Sequence, residues 1–218
     1  MFYFLSLYQM NKKESISKAL KKYIPEEFIP YVTKILFSEK ISFRITKPRK
    51  TKLGDYRAPL NKDEYHRISI NNDLNPYSFL ITTLHEFAHM NTYIKYGHNA
   101  SPHGREWKHE FKKLLLPILE SEYLPDDIKQ ALRINLNNLK ASSCTDVHLN
   151  RVLKSYNKID DSLTPLEEIG NDTYFRVGDK VFQRGILRRT RYLCKEVKTG
   201  KHYLVSRLAD VEIVHFKK

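Results

Sequence analysis

Apolar residues recur at three- and four-residue steps through Ile16, Leu20, Ile24, Phe28, Val32 and Leu36, which predicts two short amphipathic helices over residues 13–37, divided at Pro25. The period then changes to two. ISFRITKPRKTKLGDYRAP alternates around Ile41, Phe43 and Ile45, so a strand is expected, followed by a turn containing Gly54. HRISIN, with Ile68 and Ile70 on one face, reads as a second short strand.

Asn75 and Pro76 open the most distinctive segment, since Asn is a good N-cap and Pro is tolerated at the first helical position. YSFLITTLHEFAHMNTYIKY follows as a largely apolar helix, and Gly97 supplies a left-handed end. Beyond the loop GHNASPH, a helix starting near Gly104 carries Trp107, Phe111 and Leu115 at i, i+4 and i+8 before Pro117. A further helix starts at Pro125 and Asp126 and runs to about Leu139.

Residues 141–172 are rich in Ser, Asn, Asp and Thr, which suggests a linker with at most a short helix around Val147 to Leu153. After it, β-branched and aromatic runs are split by Gly178, Gly185 and Gly200, the pattern of a small antiparallel sheet of three or four strands. The expected class is therefore α+β. A main domain over 1–140 is followed by a linker over 141–172 and a β module over 173–218.

Charge adds a partner to this outline. The 38 Lys and Arg against 25 Asp and Glu give a net charge of +13, enough to attract polyanions, nucleic acid first among them. Residues 174–218 hold twelve Lys and Arg against four Asp and Glu, so about +8 of the total lies in the last fifth of the chain. Arg184, Arg188, Arg189, Arg191 and Lys195 beside Tyr192 combine phosphate-binding charge with an aromatic able to stack on a base. The same run also fits an edge strand kept from aggregating by its charge. Arg44, Lys47, Arg49, Lys50, Lys52 and Arg57 form a second cluster, either a widening of a basic track or an exposed hairpin.

Cys144 and Cys194 are the only cysteines, fifty positions apart, so neither a disulfide framework nor a cysteine-rich metal site can be built. The apolar start MFYFLSLYQM lacks a basic flank and a small-residue cleavage site, and it is too short to span a bilayer. A cytoplasmic protein with no membrane partner is expected. Because the helical pattern begins only after Met10, translation starts at either Met1 or Met10.

In His85-Glu86-Phe87-Ala88-His89 a helix sets positions i and i+4 one turn apart on one face, so two imidazoles can share one Zn²⁺. Glu86 lies close to that face and can take a proton from a metal-bound water. Two histidines and a glutamate on an otherwise apolar helix would be costly to bury without such a partner. Catalytic zinc needs a third protein ligand, and His98, His103, Glu106 and Glu110 all lie downstream. The extended zincin pattern fails, because Thr92 and Lys95 occupy its glycine and histidine places.

LHEFAHM, thirteen intervening residues, then His103-Gly104 and an aromatic at Trp107 resemble the SprT-like metallopeptidases, which include the Spartan proteases. The similarity covers roughly residues 13–140, and HRISIN leading through NNDLNP into the motif helix resembles bacterial members. The resemblance implies a zincin-like fold, His103 as third ligand to one catalytic Zn²⁺, and a peptide or protein substrate. It also implies that an extended substrate pairs with an edge strand beside the helix, for which HRISIN is the candidate. An oxyanion donor is expected, with Tyr93 and Tyr96 among the tyrosines offered. Many bacterial members end in a cysteine-rich zinc ribbon. With only Cys194 in this tail, a degenerate ribbon without structural zinc is expected.

Two functions follow. One is a zinc endopeptidase, possible on DNA-associated proteins because Spartan-type proteases act there, with DNA held by the basic C-terminal module. The alternative is a nucleic-acid-binding or transcription-associated module that keeps the fold with little catalysis.

Overall fold

Helix and strand periods separate along the chain as the residue pattern requires, and the structure is mixed α+β. The computed structural model describes residues 13–49, 51–61, 64–137, 146–158 and 160–215. The apolar start with Met1 and Met10, Lys50, Leu139 and Cys144 lie outside the described residues. By contacts the chain divides into two units, Met1–Asn157 and Lys158–Lys218.

In the first unit, helix α1 (residues 13–20) and helix α2 (Ile29–Leu36) are joined by a single 3-10 turn, Glu26–Phe28, that follows Pro25. Leu20, Ile24, Phe28, Val32 and Leu36 all enter the core, as their spacing requires.

Strands β1 (Ile41–Thr46), β2 (Gly54–Arg57) and β3 (His66–Asn71) form a sheet in the order β1-β3-β2, with β1 parallel and β2 antiparallel to β3. Two expectations change here. Gly54 begins a strand rather than a turn, and HRISIN is the central strand, with its ladder groups engaged on both sides. A central strand has no free edge to offer a substrate; β1 and β2 are the edges.

Register separates the two faces of this sheet. Phe43, Ile68 and Tyr56 lie in one row and Ile45, Ile70 and Gly54 in the next, facing the core. Arg44, Ser69 and Asp55 share a row on the opposite face, as do Ser42, Arg67 and Arg57.

Helix α3 (Pro76–Tyr96) packs on the inner face. Asn75 caps it through Oδ1, which accepts from Ser78 N–H at 2.9 Å, and Pro76 fits where no intrahelical donor is needed. Gly97, at φ +61°, turns the chain out of the helix as foreseen. Phe79, Leu80, Leu84 and Phe87 are fully buried, each contributing about 2 kcal/mol by removal from water.

Helix α4 (Arg105–Leu119) lies against α3 and buries Trp107, Phe111 and Leu115 in one stripe. It runs two residues past Pro117, because a proline in the last turn costs only one ladder bond. Helix α5 (Asp126–Asn137) and helix α6 (Val147–Lys154) complete the unit. Asp146 caps α6 by accepting from Leu149 N–H at 2.9 Å, and its other oxygen accepts from Asn135 Nδ2 of α5 at 3.1 Å. No described helix is long and apolar enough to cross a membrane.

The second unit is a seven-stranded sheet, larger than the three or four strands expected: β4 (Thr164–Pro165), β5 (Tyr174–Val177), β6 (Lys180–Gln183), β7 (Leu187–Arg188), β8 (Arg191–Glu196), β9 (His202–Ser206) and β10 (Asp210–Ile213). Two of the additional strands, β4 and β7, are two residues long, too short to show a period in sequence. Leu166, Ile169, Phe175, Phe182, Tyr192, Cys194 and Val211 form its core.

Candidate metal centre

His85 and His89 project from one face of α3, a turn apart, and His103 reaches them from the residue just before the N-cap of α4, Gly104. The three Nε2 atoms form a near-equilateral triangle, 3.2 Å from His85 to His89, 3.1 Å from His89 to His103 and 3.0 Å from His103 to His85. Ligands at ~2.05 Å from a tetrahedral ion stand about 3.3 Å apart, so the triangle has the size a zinc or similar ion needs.

Electrostatics agree with the geometry. Burial pushes the His85 imidazole far below its ordinary range, helped by His89 and His103, and the His89 imidazole down to about 4, helped by His103. His103 is lowered by burial too. All three rings are therefore neutral at pH 7, the form that donates a lone pair to a metal. Trp107 supplies an apolar floor, its ring centroid 4.6, 5.4 and 4.7 Å from those of His85, His89 and His103, and it stacks on Phe111 behind. His103 sits at φ +58°, a left-handed conformation that histidine adopts at a cost.

Glu86 is buried beside this triangle, 6% exposed. Burial raises its carboxyl to about 8, with Asp55 adding to the rise while Arg49, Lys52 and the Tyr56 N–H oppose it. Its room is made by Gly54: a Cβ there would stand 2.8 Å from Glu86 Cγ and 2.9 Å from Cδ. The inner face of β2 thus sets Gly54 against Glu86 and Tyr56 against His89, whose rings are parallel to within 2° at 6.5 Å. Together with Thr51, Lys52, Leu53, Asp55 and Pro102, these residues line an open cleft of about 570 Å³.

The other ligand candidates go elsewhere. His98 packs edge-on against Tyr93 at 5.2 Å, and Glu106 lies 3.5 Å from Arg105. Glu110 is buried at 2% and pairs with Lys95 at 2.6 Å, because it falls on the α4 stripe that faces α3. Tyr96 is exposed at the end of α3, and Tyr93 stands beside His66. The tyrosine of the cleft is Tyr56, its hydroxyl 2.9 Å from His66 Nδ1 and its acidity weakened by burial and by Tyr93. Its signal in sequence was weak: GDYR is a four-residue strand with a glycine at its head.

The basic clusters separate into two kinds. Tyr192 and Arg184 are buried in the second unit, where the guanidinium lies 3.9 Å from the Tyr192 ring centroid and donates to Ile169 O and Asn171 Oδ1. Strand alternation explains the burial, since Tyr192, Cys194 and Glu196 turn inward while Arg191 and Lys195 turn out. Neither Arg184 nor Tyr192 is placed to meet a nucleic acid; Arg188, Arg189, Arg191 and Lys195 are exposed. In the first unit, Arg44, Arg49, Arg57 and Arg67 line a groove on the outer face of the sheet, with Asp55 as its acid.

The sequence profile of the SprT-like family matches residues 21–122, which span the three-stranded sheet, α3, the loop to His103 and α4. No curated protein and no solved structure matches the chain.

Proposed function

We propose that the chain, whose residues 21–122 belong to the SprT-like family, is a zinc-dependent metalloendopeptidase with a zincin-like active-site helix. The observation that carries this reading is the convergence of three neutral imidazoles beside a buried carboxylate in one open cleft. An ion held by His85, His89 and His103 supplies a Lewis acid and a water acidified towards neutral pH. Imidazole donors favour zinc over harder cations.

The chain's own residues supply the rest. Glu86 accepts a proton on its carboxylate and returns it to the leaving amine. Gly54 keeps the space that carboxylate needs. Edge strand β2, whose Tyr56 N–H already meets Glu86, offers its remaining outward ladder groups to an extended peptide laid along the cleft. Tyr56 presents a hydroxyl to the carbonyl oxygen as charge builds there. Trp107 and Phe111 exclude water from behind the histidines.

Proteins associated with DNA are the proposed substrates, supported by the net charge of +13 and by exposed arginines in both units. The same charges favour a second reading, a cytoplasmic nucleic-acid-binding module with little catalysis. One experiment separates them: zinc content and cleavage of a DNA-binding protein, with and without single-stranded DNA, for wild type and Glu86→Gln. Both forms are expected to bind one zinc, and the variant to lose on the order of 10²- to 10⁴-fold in rate. Zinc binding without cleavage by either form selects the binding module. Loss of zinc in Glu106→Ala or Glu110→Ala, with retention in His103→Ala, reassigns the third ligand.

A further inference from the structure

Beside the cleft, and sharing His85 and Leu53 with it, lies a second cavity of about 30 Å³. Its floor is apolar: Ile81 from α3 and Leu149 and Leu153 from α6, all buried. Ser78 and Asn150, both half-buried, and the 41% exposed Leu53 stand at its rim. The volume admits roughly two waters, the bulk of a side chain of about two or three heavy atoms.

Helix α6 makes this wall, and it lies outside the residues 21–122 that the family profile covers. It is fastened where it stands. Asn75, the residue that caps α3, donates from Nδ2 to Leu153 O at 2.8 Å and to Asn157 Oδ1 at 2.7 Å. Tyr156 donates to Asp127 at 2.7 Å and packs edge-on against Tyr77 at 4.8 Å. The cavity is therefore formed before any ligand arrives.

Its position along the cleft gives it a direction. Gly54 faces Glu86 and Tyr56 faces His89, so β2 runs in the same sense as α3. A peptide added antiparallel to β2 has its N-terminal part beside Tyr56 and His89. Its C-terminal part lies beside Leu53 and His85, where the cavity opens, towards the N-terminus of α3.

We propose that this cavity is the subsite for the substrate residue that follows the cleaved bond, and that α6 restricts that residue to a small, largely apolar side chain such as Ala, Ser or Val. The proposal rests on the peptidase reading, and its test separates the two. Zinc-loaded full-length protein is incubated with a pentapeptide library and the cut sites are read by mass spectrometry. In parallel, zinc-loaded Glu86→Gln is titrated with labelled pentapeptides differing at one position, Ala to Phe. Wild type is expected to favour small residues after the cut by about tenfold over Leu or Phe. Leu149→Ala is expected to shift that preference towards Leu. Ser78→Phe, a rim change that leaves the core intact, is expected to close the subsite so that Gly alone is accepted. Zinc stoichiometry checks the fold of each variant.

Cleavage with no size preference at that position, with the preference before the cut, or with a preference unmoved in Ser78→Phe overturns the subsite and leaves the peptidase standing. Absence of cleavage with tenfold size-dependent binding to Glu86→Gln, abolished in Ser78→Phe, sustains the cavity as a side-chain pocket for a bound peptide and overturns the peptidase. Absence of both overturns both.

Discussion

Gly54 and Glu86 occupy one space between them: the carboxylate of the helix lies where a side chain on the edge strand would be. The strand conformation at Gly54 does not itself demand glycine, since its φ is not positive. Gly54→Ala is therefore expected to displace the Glu86 carboxylate while sparing the three histidines. Peptidase kcat should fall by about 10- to 100-fold with zinc stoichiometry unchanged, and overpacking should cost about 1–3 kcal/mol of stability in urea melts. Full activity in Gly54→Ala would remove Glu86 from its assigned role.

His103 pays for its position with a left-handed backbone. His103→Gly should relieve up to about 1 kcal/mol of strain in chelator-treated protein while sharply weakening zinc binding. The two effects have opposite sign, so a zinc titration and a denaturant melt on one sample check both. A variant that binds zinc as wild type does would show that the third ligand lies elsewhere.

Metal removal should have a stability signature of its own. Since an ion held by three native-state ligands binds the folded form alone, zinc at a hundredfold excess over its dissociation constant adds about 2.7 kcal/mol. Chelation is expected to lower the Tm of the first unit, and zinc but not magnesium to restore it.

The outer face of the sheet holds Arg57 opposite Arg67 and Arg44 one row on, with Asp55 3.0 Å from Arg57 as partial relief. Like charges directly opposite each other in a sheet are destabilising, and an anion laid across them removes that cost. Arg44→Glu with Arg67→Glu should weaken single-stranded DNA binding and flatten its log-log salt dependence by about 1.4, two contacts at ~0.7 each. Arg188→Glu with Arg191→Glu tests the second unit in the same assay. Arg184→Ala should instead destabilise that unit by about 2 kcal/mol and leave the salt slope unchanged, because its guanidinium packs on Tyr192.

What could be read in advance was local. His85, Glu86 and His89 are set by one helical turn, and Asn75, Pro76 and Gly97 mark the ends of their helix by chemistry that acts within four residues. His103 needed a family pattern, because a left-handed residue ahead of a helix leaves no periodic trace. Pairing between distant segments was hidden. HRISIN is alternating and apolar whether it sits at an edge or in the middle, and only the ladder with GDYR decides. Arg184 looked like a surface charge until Tyr192 turned inward beside it, and α6 gave no hint that it walls a cavity at His85.

The three imidazoles join the middle of α3 to the residue ahead of the α4 N-cap, across the last two turns of α3 and the connection that follows Tyr96. An ion bound between them closes that connection as a crosslink would, removing the chain entropy of an open loop without any covalent bond. With zinc as the proposed ion, chelation should speed cleavage of the segment between Gly97 and Pro102 by an added protease, so resistance to proteolysis, and not only activity, would follow the metal.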